Sequence, residues 1–288
     1  MPYIIHLLIL ISIWAILGIS LNLVVGYTGL LSVTHAAFFG IGAYATAILL
    51  TVLGWNFWIS ILVGMVVSGV VALAIGFVLS KFRDDYYALA SFGFNIIVFS
   101  IFLNWESLTR GPLGIPGIKR PELFGFAFTE NTAYLALSVV ILVLVYLFTR
   151  FLVQSSFGRV LKAIREDENA LQVFGYRTLR YKLAIFVIAA MIAAVAGSLF
   201  ASYITFIDPS SFVLMESIFM LSMIIMGGLA SLPGSVLGAT VLILLPEILR
   251  FVGLPSDIAA QMRQAIFGLL LILLMLYRPQ GIIGEYKL

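Results

Sequence analysis

Apolar runs of roughly 20 residues recur along this chain of 288 residues and constrain its fold more than any other feature. Residues 4–25 and 57–80 contain no Asp, Glu, Lys or Arg at all. Such a run spans about 30 Å as a helix at 1.5 Å per residue, the thickness of a bilayer's hydrocarbon core. With 62% hydrophobic and 10% charged residues, and a mean hydropathy of +1.16, the chain has more apolar surface than a soluble globule can bury. The runs lack the ten-residue alternation of an outer-membrane barrel, so the expected class is an all-α polytopic membrane protein of about 8–10 transmembrane helices.

Nine spans are expected, at 4–25, 35–53, 57–80, 86–103, 133–151, 183–204, 212–226, 234–249 and 258–277. Two of them look irregular. The span at 35–53 follows a glycine-bearing stretch, GYTGLLSVTH, and the one at 212–226 is too short to cross a bilayer. Such half-helices imply non-helical backbone satisfied by protein or by a water-filled cavity. The amino-terminal stretch lacks a basic n-region and is too long for a signal peptide's apolar core, so it reads as a retained span. Zero cysteines exclude disulfides, thiolate metal sites and cysteine nucleophiles.

The segment 155–182 is the only long charge-dense stretch. Phe157, Val160, Leu161, Ile164, Leu171 and Phe174 recur at helical spacing, while Arg159, Lys162, Arg165, Glu166 and Asp167 are expected on the opposite face. A helix or helix pair of this pattern suits a groove on a soluble partner or an anionic lipid surface. With this segment in the cytoplasm, alternation over nine spans puts eleven of the 16 Lys and Arg residues inside. That bias sets the carboxyl terminus in the cytoplasm and the amino terminus outside; the positive net charge of +3 reflects loop residues and does not argue for nucleic acid. The longest external loop, 104–132, carries four glycines and three prolines with Trp105, Phe124, Phe126 and Phe128, and reads as an ordered lid or docking surface.

Gly29-Leu30-Leu31-Ser32, followed by Gly40, resembles Gly228-Leu229-Ala230-Ser231, followed by Gly238. Paired glycine-interrupted segments point to a transport pathway, although close helix packing through small residues also accounts for them. His35, Glu216 and Glu247 are the ionisable groups within spans, with Asn22, Ser32, Thr34 and Asn95 as neutral companions. Both glutamates lie near span ends, where structural roles are expected, and no carboxylate sits at a span centre as a proton-coupled carrier would want. Neither hydrolase motifs nor a phosphate-binding Gly-x4-Gly-Lys-Ser/Thr loop occurs, so an ATP dependence would come from a partner.

The run Gly158-Arg159-Val160-Leu161-Lys162-Ala163-Ile164-Arg165-Glu166-Asp167-Glu168-Asn169-Ala170, with Gly175 and Arg180-Tyr181-Lys182-Leu183, resembles the cytoplasmic coupling segment of Liv-type branched-chain amino-acid ABC permeases. GLLSVTHAAFFGIGAY at 29–44, NW at 104–105 with LGI at 113–115, AGSLF at 196–200, GGLASLPGSVLGA at 227–239 and RPQG at 278–281 extend the likeness in order along nearly the whole chain. RDDYYALA at 83–90 is similar to the M-type member of the permease pair. Departures fall at Asp84, Asn95 and Thr109-Arg110-Gly111, and they bear on substrate range.

The resemblance implies one permease domain over 1–288 in the inner membrane of a prokaryote, with a cytoplasmic coupling helix. It implies a heterodimer with a paralogous permease, two cytoplasmic ATPase subunits and an extracytoplasmic substrate-binding protein. ATP and magnesium would sit on the ATPases, and no cofactor on this chain. Gly158, Arg159, Lys162, Ala163, Ile164, Arg165, Glu166 and Asp167 would form the ATPase-coupling site, and Gly26, Gly29, Ser32, His35 and Asn95 are pathway-lining candidates. The expected activity is inward translocation of branched-chain amino acids by ATPase-driven alternating access, without chemical change. Urea, short amides or another amino acid remain alternative solutes, and an ion-coupled secondary carrier is the alternative from another class.

Overall fold

A helix that is apolar on every side has to be packed on every side. The computed structural model describes residues 2–82, 84–123, 126–251 and 280–284, with 265–266, 268–269, 272–273 and 276–277. It places α1 (Pro2–Thr28) at the centre, and every residue of α1 from Ala15 to Thr28 is buried. A non-helical stretch leads into α2 (His35–Thr51), which is followed by α3 (Phe57–Leu79), α4 (Asp84–Asn104) and the single turn α5 (Glu106–Thr109). Two-residue strands β1 (Ile115–Pro116), β2 (Glu122–Leu123) and β3 (Phe126–Ala127) precede α6 (Asn131–Gln154), α7 (Ser156–Val173) and α8 (Thr178–Ile204). Strand β4 (Phe206–Ile207) leads to α9 (Leu214–Gly227) and α10 (Leu232–Phe251). Helices α6, α8, α9 and α10 surround α1.

The chain is an all-α polytopic membrane protein. Among the described residues, five helices are long and apolar enough to cross a membrane, and the α9–α10 pair, bent by 119°, makes a sixth if taken as one span. Helix α2 is apolar but only 17 residues long. Eight of the nine expected spans coincide with these helices; the ninth, 258–277, lies largely outside the described residues, as do Arg83, Phe124 and residues 278–279.

Lipid-buried helices gain no hydrophobic free energy from meeting one another, so contact at backbone distance matters more than side-chain bulk. In α3, Gly64, Ser68, Ala72 and Gly76 recur every fourth residue on one buried face. Ser68 Oγ donates to Ala190 O of α8 at 2.9 Å. Helices α2 and α8 touch backbone to backbone: a Cβ on Gly42 would lie 2.3 Å from Ala194 O, and one on Gly197 2.0 Å from Phe39 O. Thr46 Oγ1 donates to Ser198 Oγ at 2.7 Å across the same crossing.

At one end of the bundle, Tyr3 donates to Glu247, and His6 Nδ1 lies 2.6 Å from Tyr203 Oη. The loop between α5 and α6 is folded onto this end. Strand β1 pairs antiparallel with β4, Ile118 N donates to Thr205 O at 3.2 Å, and the Arg120 guanidinium stands 5.7 Å from the rings of Tyr134 and Tyr203. The opposite end gathers the carboxyl end of α1, all of α7, the α9–α10 turn and residues 282–284, whose Ile282 and Ile283 N–H groups donate to Met226 O and Gly227 O.

Candidate functional site

Helix α7 begins where Ser155 Oγ accepts the Gly158 N–H, an N-cap that stops α6 and restarts the chain. Gly158 is required by the corner, since a Cβ there would lie 2.0 Å from Val153 O. Leu161 and Ile164 are buried, and Phe157, Val160 and Leu171 are partly so. The apolar stripe stops short of Phe174, which is 80% exposed beside Val173 at 87%. The reason is a break: Asp167 leaves helical geometry (φ −156°, ψ 99°), and its Oδ1 accepts the Ala170 N–H at 3.0 Å, so it caps a second short helix of different phase.

The five charged residues do not share a face. Arg159, Glu166 and Asp167 are exposed, whereas Arg165 turns inward, donates to Gly26 O and packs against Gly29. Lys162 lies 5.7 Å from the Tyr27 ring. The last carbonyls of α1 lack intrahelical partners and carry the negative end of its dipole, so a guanidinium is well matched to them. Beyond the break, Lys182 Nζ lies 2.8 and 2.9 Å from the two Glu168 carboxylate oxygens, one of which also accepts from Thr178 Oγ1 at 2.8 Å. Thus α7 is tied to α1 by Arg165 and to α8 by Glu168.

Residues 29–34, which separate α1 from α2, are non-helical and begin at Gly29 with φ +73°. Neutral side chains hold this break. Ser91 Oγ accepts the Val33 N–H at 3.1 Å, and Asn95 Nδ2 donates to Val33 O and to Ser217 Oγ, both at 2.9 Å. Ser217 Oγ also accepts the Ala36 N–H at 2.9 Å, and Ser32 Oγ lies 2.9 Å from Thr34 Oγ1. Of the pathway candidates, Ser32, His35 and Asn95 therefore converge on one buried seam, Gly29 is exposed at the bundle end, and Gly26 is wedged between Asn22 and Ala230. Asn95 Oδ1 and Tyr44 Oη are buried with no hydrogen-bond partner among the described residues, and the buried His35 ring has the Ser20 backbone beside it.

The second break, between α9 and α10, stands beside the first. Asn22 Nδ2 donates to Ser235 Oγ at 2.7 Å and Ser231 O at 3.0 Å, and its Oδ1 accepts from Ala230 N at 3.0 Å. Ala230 has φ +59°, a left-handed backbone that costs free energy outside glycine and is held here by the Asn22 amide. The two similar glycine-led stretches thus lie at the same end of the bundle, a Cβ on Gly26 being 2.5 Å from Ala230 N.

The family described as branched-chain amino acid transport system, permease component, matches residues 3–275. The chain belongs to this permease family. It is 34% identical to the high-affinity branched-chain amino acid permease LivM of Salmonella typhimurium, over 94% of this chain and 68% of that protein. LivM of Escherichia coli K12 is 33% identical over the same shares, and a probable LivM of Methanocaldococcus jannaschii 26% identical over 95% and 91%. LivH of Escherichia coli K12 is 26% identical over 95% of this chain and 92% of its own. No solved structure matches the chain. The greater identity to the two enterobacterial LivM proteins agrees with the M-type likeness of the permease sequence.

Spacing alone missed Ser91, Ser217 and the Glu168–Lys182 pair as site residues. The serines contribute through contacts from distant helices, and the ion pair joins residues on two different helices. A signal existed for the break in α7, because an aspartate three residues before a free backbone N–H is a helix-start pattern.

Proposed function

We propose that this permease is one transmembrane subunit of an ABC importer that carries branched-chain amino acids inward. The observation that supports this best is the double anchorage of α7, through Arg165 to the end of α1 and through Glu168 to the start of α8, with Arg159, Glu166 and Asp167 left outward. An ATPase gripping the outward residues would move α1 and α8 together. Arg165 and Lys162 act on the membrane side of α7, and buried Gly158 and Ile164, with Ala163, shape its seat.

In this reading the partners are a paralogous permease, two cytoplasmic ATPases that hold ATP and magnesium, and an external binding protein that meets the loop 104–132. The α7 end faces the cytoplasm of a prokaryotic inner membrane. Among the described residues it gathers Lys81, Arg150, Arg159, Lys162, Arg165, Arg177, Arg180 and Lys182, against Arg110, Lys119, Arg120 and Arg250 at the other end, a bias that fits the positive-inside rule. Residues 282–284 lie at the α7 end, which supports a cytoplasmic carboxyl-terminal segment in this reading. The α2–α4–α9 seam supplies amides, hydroxyls and an imidazole without a fixed charge, a lining that suits a net-neutral zwitterion when the seam opens.

The test is reconstitution of the permease with its co-purifying ATPases and second permease in liposomes. ATP-dependent uptake of leucine, isoleucine or valine, stimulated by the binding protein, is the expected result. Uptake by this chain alone under an ion gradient, without ATP, overturns the reading.

A further inference from the structure

Tyr44 lies in the middle of α2, nine residues and about 14 Å along the helix from His35. It is 2% exposed, and its Oη has no hydrogen-bond partner among the described residues. A hydroxyl buried without a partner costs free energy and calls for an explanation. The Tyr44 ring stacks on Phe102 of α4 at 4.4 Å and stands 5.7 Å from Phe212.

Phe212 ends the 3₁₀ turn Pro209–Phe212, which Asp208 opens. Asp208 is half-buried, and its charge reaches Tyr44. Its Oδ1 accepts from Ser211 Oγ at 2.7 Å and its Oδ2 accepts from Ser210 Oγ. Arg110, Lys119 and Arg120 belong to the same end of the bundle, yet among the described residues no cation forms an ion pair with Asp208. Two hydroxyls occupy about half of a carboxylate's four acceptor sites and fix its orientation. The adjacent Ile207 pairs with Ile115, so Asp208 lies beside the loop 104–132.

The Asp208 carboxylate and, deeper, the open Asn95 Oδ1 are acceptors, and the Tyr44 hydroxyl can accept as well. A group that satisfies such a series carries several N–H donors and a positive charge, as a primary ammonium does. Urea and amides supply N–H donors but leave the carboxylate's charge uncompensated. From these features we infer that Asp208 and Tyr44 form an entry subsite for the ammonium group of the solute, at the outer mouth of the neutral seam. Phe102 and Phe212 cover the Tyr44 ring, so Asp208 is met first and Tyr44 second. The inference rests on the importer reading for the side on which this mouth lies, and it narrows the solute to one bearing an amine.

The chain has no cysteine, so Ser210→Cys places a single reporter thiol beside Asp208. The full chain in lipid nanodiscs is labelled with cationic and anionic methanethiosulfonates, and with a neutral one in the presence of millimolar solutes. The cationic reagent is expected to react roughly tenfold faster than the anionic one. Leucine and isoamylamine, which carry the ammonium, are expected to slow neutral labelling, and isocaproate and urea to leave it unchanged. Asp208→Asn in the same background is expected to lose both the charge preference and the protection, and Asp208→Glu to keep both. Tyr44→Phe, which keeps the ring, is expected to weaken protection and preserve the charge preference. Equal protection by urea or isocaproate, or protection undiminished in Asp208→Asn, overturns the inference. ATP-dependent leucine uptake without protection overturns it alone, whereas protection by amines without such uptake upholds it and overturns the importer reading.

Discussion

Asn22 and Arg165 show how a single polar side chain can close a helix break inside an apolar bundle. Replacing Asn22 by Leu leaves the Ala230 N–H without its partner in a buried place, at about 1–3 kcal/mol for the orphaned group, while the Ser231 carbonyl keeps the Ser235 N–H. A fall of several degrees in the melting temperature of the detergent-solubilised chain is the expected outcome, with a milder fall for Asn22→Gln. Arg165→Ala removes the cation from the end of α1 while leaving the outward face of α7 intact. If the proposed importer assembles, it is expected to keep its ATPases and to hydrolyse ATP with less solute carried per ATP; unchanged stoichiometry would show that α7 is coupled by another route. Periodicity could not have foreseen this bond. It reports where a Cβ points, whereas an arginine's reach lets the group fold back across its own helix.

At the scale of elements, packing was legible wherever small residues recur at a fixed step. Gly64, Ser68, Ala72 and Gly76 announce a close face of α3 in the sequence, and the structure seats that face on α8 and α2. The irregular starts were legible too: α9 as a run below the bilayer thickness, which cannot be a plain span, and α2 through the glycine-bearing stretch before it. The break of α7 at Asp167 was legible only as a helix-start aspartate, and the continuous charge run around it masks the change of phase. The corner at Gly158 offers a sharp check. Gly158→Ala pushes a methyl group into the Val153 carbonyl and has to shift the α6–α7 junction. Weaker ATPase co-purification is expected with the bundle still folded by circular dichroism, and full retention would show that α7 tolerates reorientation.

For the whole molecule, the absence of cysteine makes the expected orientation directly measurable. Lys119→Cys and Asn169→Cys place single thiols at exposed positions on opposite ends of the bundle. An impermeant maleimide is expected to label the first in intact spheroplasts and the second only after permeabilisation, and the reverse pattern would invert the topology. The stitching of Ile282 and Ile283 onto Met226 and Gly227 also orders the birth of the protein in time. During synthesis α9 enters the membrane well before its stitching segment exists, so those two carbonyls wait unpaired until a later stretch of chain emerges. The clasp therefore forms late: a nascent chain stalled before residue 282 would hold every described long span and still lack the bonds that seal the end of α9.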